Sequence, residues 1–304
     1  MELRDLRYFA VVAEHQNVGR TAEALDLSPT ALSKSLRRLE RDVGAKLFNR
    51  AARGVELSAV GAALLSRIAP LQGMLIDVRR ECADVARGYA GHVSVGANPS
   101  AADNFLADAC LALSRGSPHL TFNVIVAPNA ALEKAVRRGE LDFYVSALET
   151  FSGDDLVREK LCDLQDVIVA SAHHRLARRK HVTIKDLASE RWASVASTSG
   201  PQWQPIVEAF ARFGLRGPSL AISTNSQTLR LSAVAYSDYL TVITRQFLRQ
   251  ESRRYPIVEL PIEEMNRFRS LFITYRRDAY LSPAAGRLAE ILKSQAVDTS
   301  AEVR

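Results

Sequence analysis

The stretch from Arg20 to Arg53 constrains this chain more than any other, because its capping and turn residues set out two short helices, a tight turn and a basic hairpin. Ser28 is placed to cap a helix, its hydroxyl accepting a backbone N–H that has no intrahelical partner, and Pro29 follows at the first helical position, where no N–H is needed. The helix is predicted to stop near Val43, with Gly44 free to take the left-handed conformation. Leu32, Leu36, Leu39 and Val43 fall within a sector of about 60° and form one buried stripe, whereas Thr30, Lys34, Arg37 and Arg41 lie roughly 140 to 200° away, with Ser33 on the flank. A preceding helix from Val18 to about Leu25 offers Val18, Ala22 and Leu25 to the same core, and small Ala22 permits a close crossing. Asp26 and Leu27 make a connection short enough for a helix-turn-helix.

The continuation adds a wing. Lys46 to Arg50 reads as a strand, Ala51 to Gly54 as a turn carrying Arg53, and Val55 to Leu57 as the returning strand. An arginine at such a tip suits a narrow minor groove, where negative potential concentrates. Between Ser28 and Arg53 stand Lys34, Arg37, Arg38, Arg41, Lys46, Arg50 and Arg53 against Glu40 and Asp42.

Residues 1 to about 61 resemble the amino-terminal domain of LysR-type transcriptional regulators without a gap, through the opening LRDLRYF, the helix LSPTALSKSLRRLE, the VGAKLFNR lead into the wing and the RGVELSAVG exit. The resemblance implies double-stranded DNA as partner, with Arg20, Ser28, Pro29, Thr30, Ser33, Lys34, Arg37, Arg50 and Arg53 as contacts. Many family members carry Gln-Pro where this chain has Pro29-Thr30, and Ser or Thr where it has Gly19, which bears on the operator sequence. A small-molecule effector, RNA polymerase and further copies of the chain, as homodimer or homotetramer, are the other partners implied.

A length of 304 residues exceeds one ordinary core, and 47% hydrophobic with 24% charged residues is usual for a globular chain. The net charge of +6 and pI near 9.4 fit a polyanionic partner. Arg178-Arg179-Lys180 and Arg253-Arg254 read as solvated surface. Met1 is followed at once by charged residues and no apolar run is read as a membrane span, so a cytoplasmic protein without membrane contact is expected. Cys82, Cys110 and Cys162 are odd in number and widely separated, the pattern of free thiols.

From Ser58 a long helix is predicted to run towards Gly88, with Leu64, Ile68, Leu71, Leu75, Val78, Cys82 and Val85 in alternating four- and three-residue steps, a heptad seam. The family resemblance implies antiparallel pairing of two such helices, with Leu64, Ile68, Leu71, Leu75 and Val78 at the dimer contact. Pro70 and Gly73 interrupt the pattern and predict a bent or two-part helix.

Beyond Gly91 strands and helices alternate. His92 to Ala97, Thr121 to Val126 and Phe143 to Ala147 read as strands around helices near Ala101 to Ser114 and Ala130 to Arg138, a pattern for a mainly parallel sheet. A second set follows: strands at Val167 to Ser171, Trp192 to Ala196, Leu220 to Ser223 and Leu240 to Thr244, helices near Gln202 to Phe213 and Ser226 to Tyr236. A strand at Ser270 to Tyr275 and a helix at Pro283 to Ser294 complete it. Two crossings, near Leu161 to Gln165 and near Met265 to Phe268, resemble the two-lobed periplasmic-binding-protein-like effector domain of the same family.

The expected fold is α/β overall: a winged helix-turn-helix domain at 1–58, a linker helix at 59–90, an effector domain at 91–298 and a tail at 299–304. Lobe one takes 91–163 and 268–298, lobe two 164–267. Ligands of such a domain bind between the lobes, where strand ends meet helix amino termini. Four polar turns are candidates, Asn98-Pro99-Ser100, Pro128-Asn129, Ser197-Thr198-Ser199-Gly200 and Thr224-Asn225-Ser226. Ser100, Asn129, Thr198, Ser199 and Asn225 are the expected effector contacts, although Ser, Thr and Asn at turns also serve only as caps.

No catalytic motif, dinucleotide fingerprint or phosphate loop is present. His173-His174 lacks metal-ligand spacing, Asp154-Asp155 reads as a solvent-facing turn, and neither cofactor nor metal is expected. The function expected is a DNA-binding regulator answering to a small, anionic effector; a ligand-binding protein without regulatory role, or an enzyme on the α/β part, are the alternatives.

Overall fold

The computed structural model describes residues 1–51, 54–86, 91–98, 101, 105–147, 153–194, 203–262, 264–265 and 267–302. At the amino end, α1 (Leu3–His15), α2 (Val18–Ala24) and α3 (Pro29–Val43) enclose a core of Leu6, Phe9, Val12, Ala22, Leu32, Leu36 and Leu39. Two strands, β1 (Phe48–Ala51) and β2 (Gly54–Leu57), pair antiparallel from Phe48↔Leu57 to Ala51↔Gly54 and form the wing. The first strand starts two residues later than the apolar-basic pattern suggests, because Lys46 and Leu47 are held by Glu40: its carboxylate accepts from Lys46 Nζ at 2.8 Å and from the Leu47 N–H at 3.0 Å.

The linker helix α4 (Ala59–Ala86) begins where Ser58 Oγ accepts the Gly61 N–H at 2.9 Å, and it runs through Pro70 as one element, not two. Its heptad residues have different fates. Ile68 is 1% exposed and half-buried Leu64 packs beside it, both in the core of their own amino-terminal domain. That corrects the expected place of Ile68 at an interchain seam, since its side chain is not left to face a second copy, whereas Leu64 keeps part of its surface open. Leu71, Leu75, Val78 and Val85 are exposed, as is Met74. Gly73 has a reason other than bending: a Cβ there would overlap the Arg276 guanidinium, and Gly139 lies against it. Contrary to expectation, α4 is long and apolar enough to cross a membrane by length and composition alone. Its Asp77 and Arg80 are nevertheless tied to the effector domain.

In lobe one, β3 (His92–Ala97), β4 (Thr121–Val126) and β5 (Phe143–Ser146) are parallel, joined through α5 (Ala107–Arg115) and α6 (Asn129–Arg137). Buried Val93, Val95, Phe143 and Val145 make the near-continuous apolar runs of strands covered on both faces. A single strand, β6 (Leu156–Ser171), leads into lobe two, absorbing both the expected strand at Val167 and the expected crossing at Leu161 to Gln165. Lobe two contains β7 (Arg191–Ser194), α7 (Gln204–Arg212), β8 (Ser219–Ser223), α8 (Gln227–Ala235), β9 (Tyr239–Thr244), α9 (Arg245–Glu251) and β10 (Ile257–Glu259). The chain returns along β11 (Arg267–Arg276), antiparallel to β6, and α10 (Pro283–Glu302) buries Leu288 and Leu292 against lobe one.

Among the described residues the strands follow one path, β4-β3-β5-β11-β6-β9-β7-β8, with β10 beside β6. The sheet is mixed, because the two crossing strands pair antiparallel with each other and with both parallel sets. Their register fixes where the lobes face each other. β5 ends at Ser146, level through β11 with Lys160 of β6, and it runs the same way as β6. β9 runs the opposite way and ends at Thr244, level with Asp166. The carboxyl ends of the two parallel sets therefore point at each other across Leu161–Gln165, a gap of roughly 20 Å at about 3.3 Å per residue.

Candidate DNA-binding face and effector cleft

The recognition helix is built from local terms. Ser28 Oγ accepts the Ala31 N–H at 3.1 Å, Pro29 opens the helix, and Gly44 closes it at φ 77°. Asn17 caps α2 by accepting the Arg20 N–H at 3.0 Å. With Leu32 and Leu39 at 0% exposure, the opposite face turns outward: Ser28, Pro29, Thr30, Lys34 and Arg37 are exposed and Ser33 is half-buried. The wing is pinned beside it. The Val55 N–H donates to Gln16 O at 2.9 Å, and Gly54, at φ 130°, sits where a Cβ would overlap that same oxygen. Arg50 is exposed on β1; Arg53 lies outside the described residues.

Two of the seven cations counted between Ser28 and Arg53 do not belong to this face. Arg38 binds buried Asp5 and Lys46 binds Glu40. Among the described residues, exposed Arg20, Lys34, Arg37, Arg41 and Arg50 take part in no ion pair, so the surface they share is positive and uncompensated.

At the gap between the lobes, two of the expected polar turns are caps. Asn98 Oδ1 accepts the Ala101 N–H at 3.0 Å, Thr224 Oγ1 accepts the Ser226 N–H at 3.0 Å, and Ser226 Oγ accepts the Leu229 N–H at 3.3 Å. Asn225 between them is exposed. Asn129 differs: it opens α6 with its Oδ1 buried and without a hydrogen-bond partner. Ser100, Thr198 and Ser199 lie outside the described residues. The Ala127 N–H donates to Ala97 O at 3.2 Å and the Thr224 N–H to Ser194 O at 3.0 Å, which sets Asn129 and Asn225 just beyond the carboxyl ends of their strands.

Sequence reading missed the lobe-two rim. Thr244 caps α9, accepting the Phe247 N–H at 3.2 Å, and the adjoining Arg245 donates to Glu259 from Nε at 3.0 Å and to Gln165 on the crossing strand. A Thr-Arg step at a strand end was the available signal, hidden because α9 is only a seven-residue helix.

Lobe one also grips the linker. Buried Arg276 pairs with buried Asp77, Arg80 Nη1 donates to Asp142 at 2.7 Å, and Tyr280 OH to Asp84 at 3.2 Å. Arg138, just past α6, reaches Glu14 on α1 at 3.3 Å. Burial holds the Asp142 carboxyl above its ordinary range in spite of Arg80.

Other singled-out groups are structural. His174 is 1% exposed, its Nδ1 accepting the Leu176 N–H at 3.1 Å and its Nε2 lying 3.2 Å from Glu190. Asp155 binds Arg137 at 2.7 Å. Among the described residues no group of His, Cys, Asp and Glu could hold a metal ion. Burial pushes the Cys110 and Cys162 thiols up to about 11 and about 12, so they stay protonated near neutrality and are poor nucleophiles.

Comparison with known proteins agrees with this architecture. The family described as "Bacterial regulatory helix-turn-helix protein, lysR family" matches residues 3–62, and "LysR substrate binding domain" matches residues 86–297. The HTH-type transcriptional regulator GbpR of Azospirillum brasilense is 28% identical over 292 residues, covering 94% of this chain and 84% of that protein. A full-length OxyR variant from Pseudomonas aeruginosa superposes with a TM-score of 0.65 at 22% identity, over 97% of this chain and 94% of the other. Full-length CbnR complexed with its target DNA superposes at 0.61 and 18% identity, over 97% and 99%. The chain belongs to the LysR family of DNA-binding transcriptional regulators.

Proposed function

We propose that this regulator places Pro29, Thr30, Ser33, Lys34 and Arg37 in the major groove, with Ser28, Arg20, Arg50 and Arg53 on the flanking backbone or minor groove. The observation that carries this reading is the outward face of α3, which combines hydrogen-bonding groups near its amino end with cations that are exposed and uncompensated. Two copies joined along Leu71, Leu75 and Val78 would read half-sites about 34 Å apart or a multiple of it, and a tetramer would join two such pairs. The reading places the protein in the cytoplasm with its DNA and calls for contact with RNA polymerase.

The effector is a small anion held between the lobes. The amino ends of α6 and α8 lie at the strand ends that face the gap, and their N–H groups favour negative charge. Asn129 adds an acceptor for a donor on the same ligand. Asn129 begins α6 while Arg138 and Gly139, just beyond its other end, touch α1 and α4, so a shift of this one helix carries occupancy of the gap to the DNA-binding domain.

Selection of bound genomic fragments at physiological salt tests the first part. Thr30→Ala or Ser33→Ala is expected to alter the selected sequence; an unchanged profile for Ser33→Ala removes that residue from the groove. Thermal-shift screening with a panel of small carboxylates tests the second. A shift that is lost in Asn129→Leu supports the site, and a full shift in that variant moves the effector elsewhere.

A further inference from the structure

One flank of α3 belongs neither to the core nor to the outward face. Ser35 lies about 60° from Leu32 around the helix axis and Arg38 about 120°, and both meet Asp5 of α1. Asp5 is 0% exposed. Its Oδ1 accepts from Ser35 Oγ and, at 2.5 Å, from Arg38 Nη2, while Oδ2 accepts from Arg38 Nε at 2.7 Å. Glu2 adds a longer contact at 3.3 Å. Two parallel N–H bonds fix both the position and the plane of the guanidinium, so Arg38 cannot swing while Asp5 is ionised. Arg38 keeps 36% of its side chain exposed and stands one turn beyond Lys34, at the margin of the positive face.

We propose that Asp5 is a positioning residue for DNA recognition: it locks the rotation of α3 on α1 and withholds the Arg38 guanidinium from the phosphates, lowering affinity for DNA of any sequence and so raising selectivity. This rests on the reading that the outward face of α3 is the DNA face. The physical reason is that a freed cation at that margin adds a sequence-independent phosphate contact, and each such contact steepens the salt dependence of binding by about 0.9.

The test is the dependence of affinity on salt for the full chain with a random-sequence duplex and with a selected operator. Lys34→Gln should lower the slope by about one. Asp5→Asn should raise the random-sequence slope by about one and narrow the ratio between operator and random binding, and Asp5→Asn/Arg38→Gln should return the slope to that of the native chain. The double variant leaves no buried charge, so it decides the matter even if Asp5→Asn fails to fold. A slope about one below native in the double variant makes Arg38 a phosphate contact and overturns the proposal. So does a folded Asp5→Asn with the native random-sequence slope. An unchanged slope in Lys34→Gln sinks instead the DNA face on which the proposal rests, and it is told apart because that residue touches neither Asp5 nor Arg38.

Discussion

The two halves of α4 carry the same apolar rhythm and meet opposite fates. Leu64 and Ile68 are covered by the helices of their own DNA-binding domain, whereas Leu71, Leu75 and Val78 stand in the open while the polar side of the same turns is bound to lobe one. A heptad states that a stripe prefers to leave water; it does not say what covers it. Here the boundary falls at Pro70 and Gly73, where the helix leaves one domain and comes against the other at a distance that only glycine permits.

That contrast can be broken by mutation. Asp77→Ala has the largest expected effect, about 3–5 kcal/mol, because it strands a buried guanidinium at Arg276; urea unfolding measures it, and a negligible loss would mean that the linker is not fastened to lobe one. Ile68→Ala should cost about 2–5 kcal/mol in the same measurement, as a cavity in a closed core. Leu75→Ala should change the stability of the folded monomer by no more than about 0.5 kcal/mol yet weaken self-association in sedimentation velocity. Equal losses of stability in the Ile68 and Leu75 variants would erase the distinction between the halves.

The smallest effect sharpens the comparison between the domains that α4 joins. Arg38 holds the Asp5 carboxyl below its ordinary value of 3.8, so its stabilisation is complete above that value and is lost as pH falls through the lower folded one. Asp142 behaves in the opposite sense. Burial outweighs Arg80 and raises it, so the folded chain takes up this proton first and the group's contribution improves as pH falls towards 3.8. Melting temperatures against pH should therefore show the gap between the native chain and Asp5→Asn closing below about pH 4, and the gap for Asp142→Asn changing at higher pH.

Much of the DNA-binding domain was legible. The cap at Ser28, the stop at Gly44 and the Leu32, Leu36 and Leu39 stripe are effects of neighbours within a few residues, and the structure places them as the pattern reads. The same reading counted Arg38 only in the positive charge between Ser28 and Arg53, because nothing local announces that a carboxylate far back along the chain will reach it and cancel that charge. In the effector domain the strands were legible but the length of β6 was not, since its crossing portion is held as strand by β11 rather than by its own apolar pattern.

By itself, the sequence determined the two-helix motif, the wing, the alternation of strands and helices, and the family, all of which rest on short-range capping, periodicity and residue spacing. Only the tertiary structure decided which cations remain free, which half of the linker stripe is covered, that Gly73 marks a close approach, and that Arg245 is held by Glu259 and Gln165 beside the crossing strand. Those outcomes depend on groups far apart in the chain, and a buried charge or an apolar stripe takes whatever partner the packing brings to it.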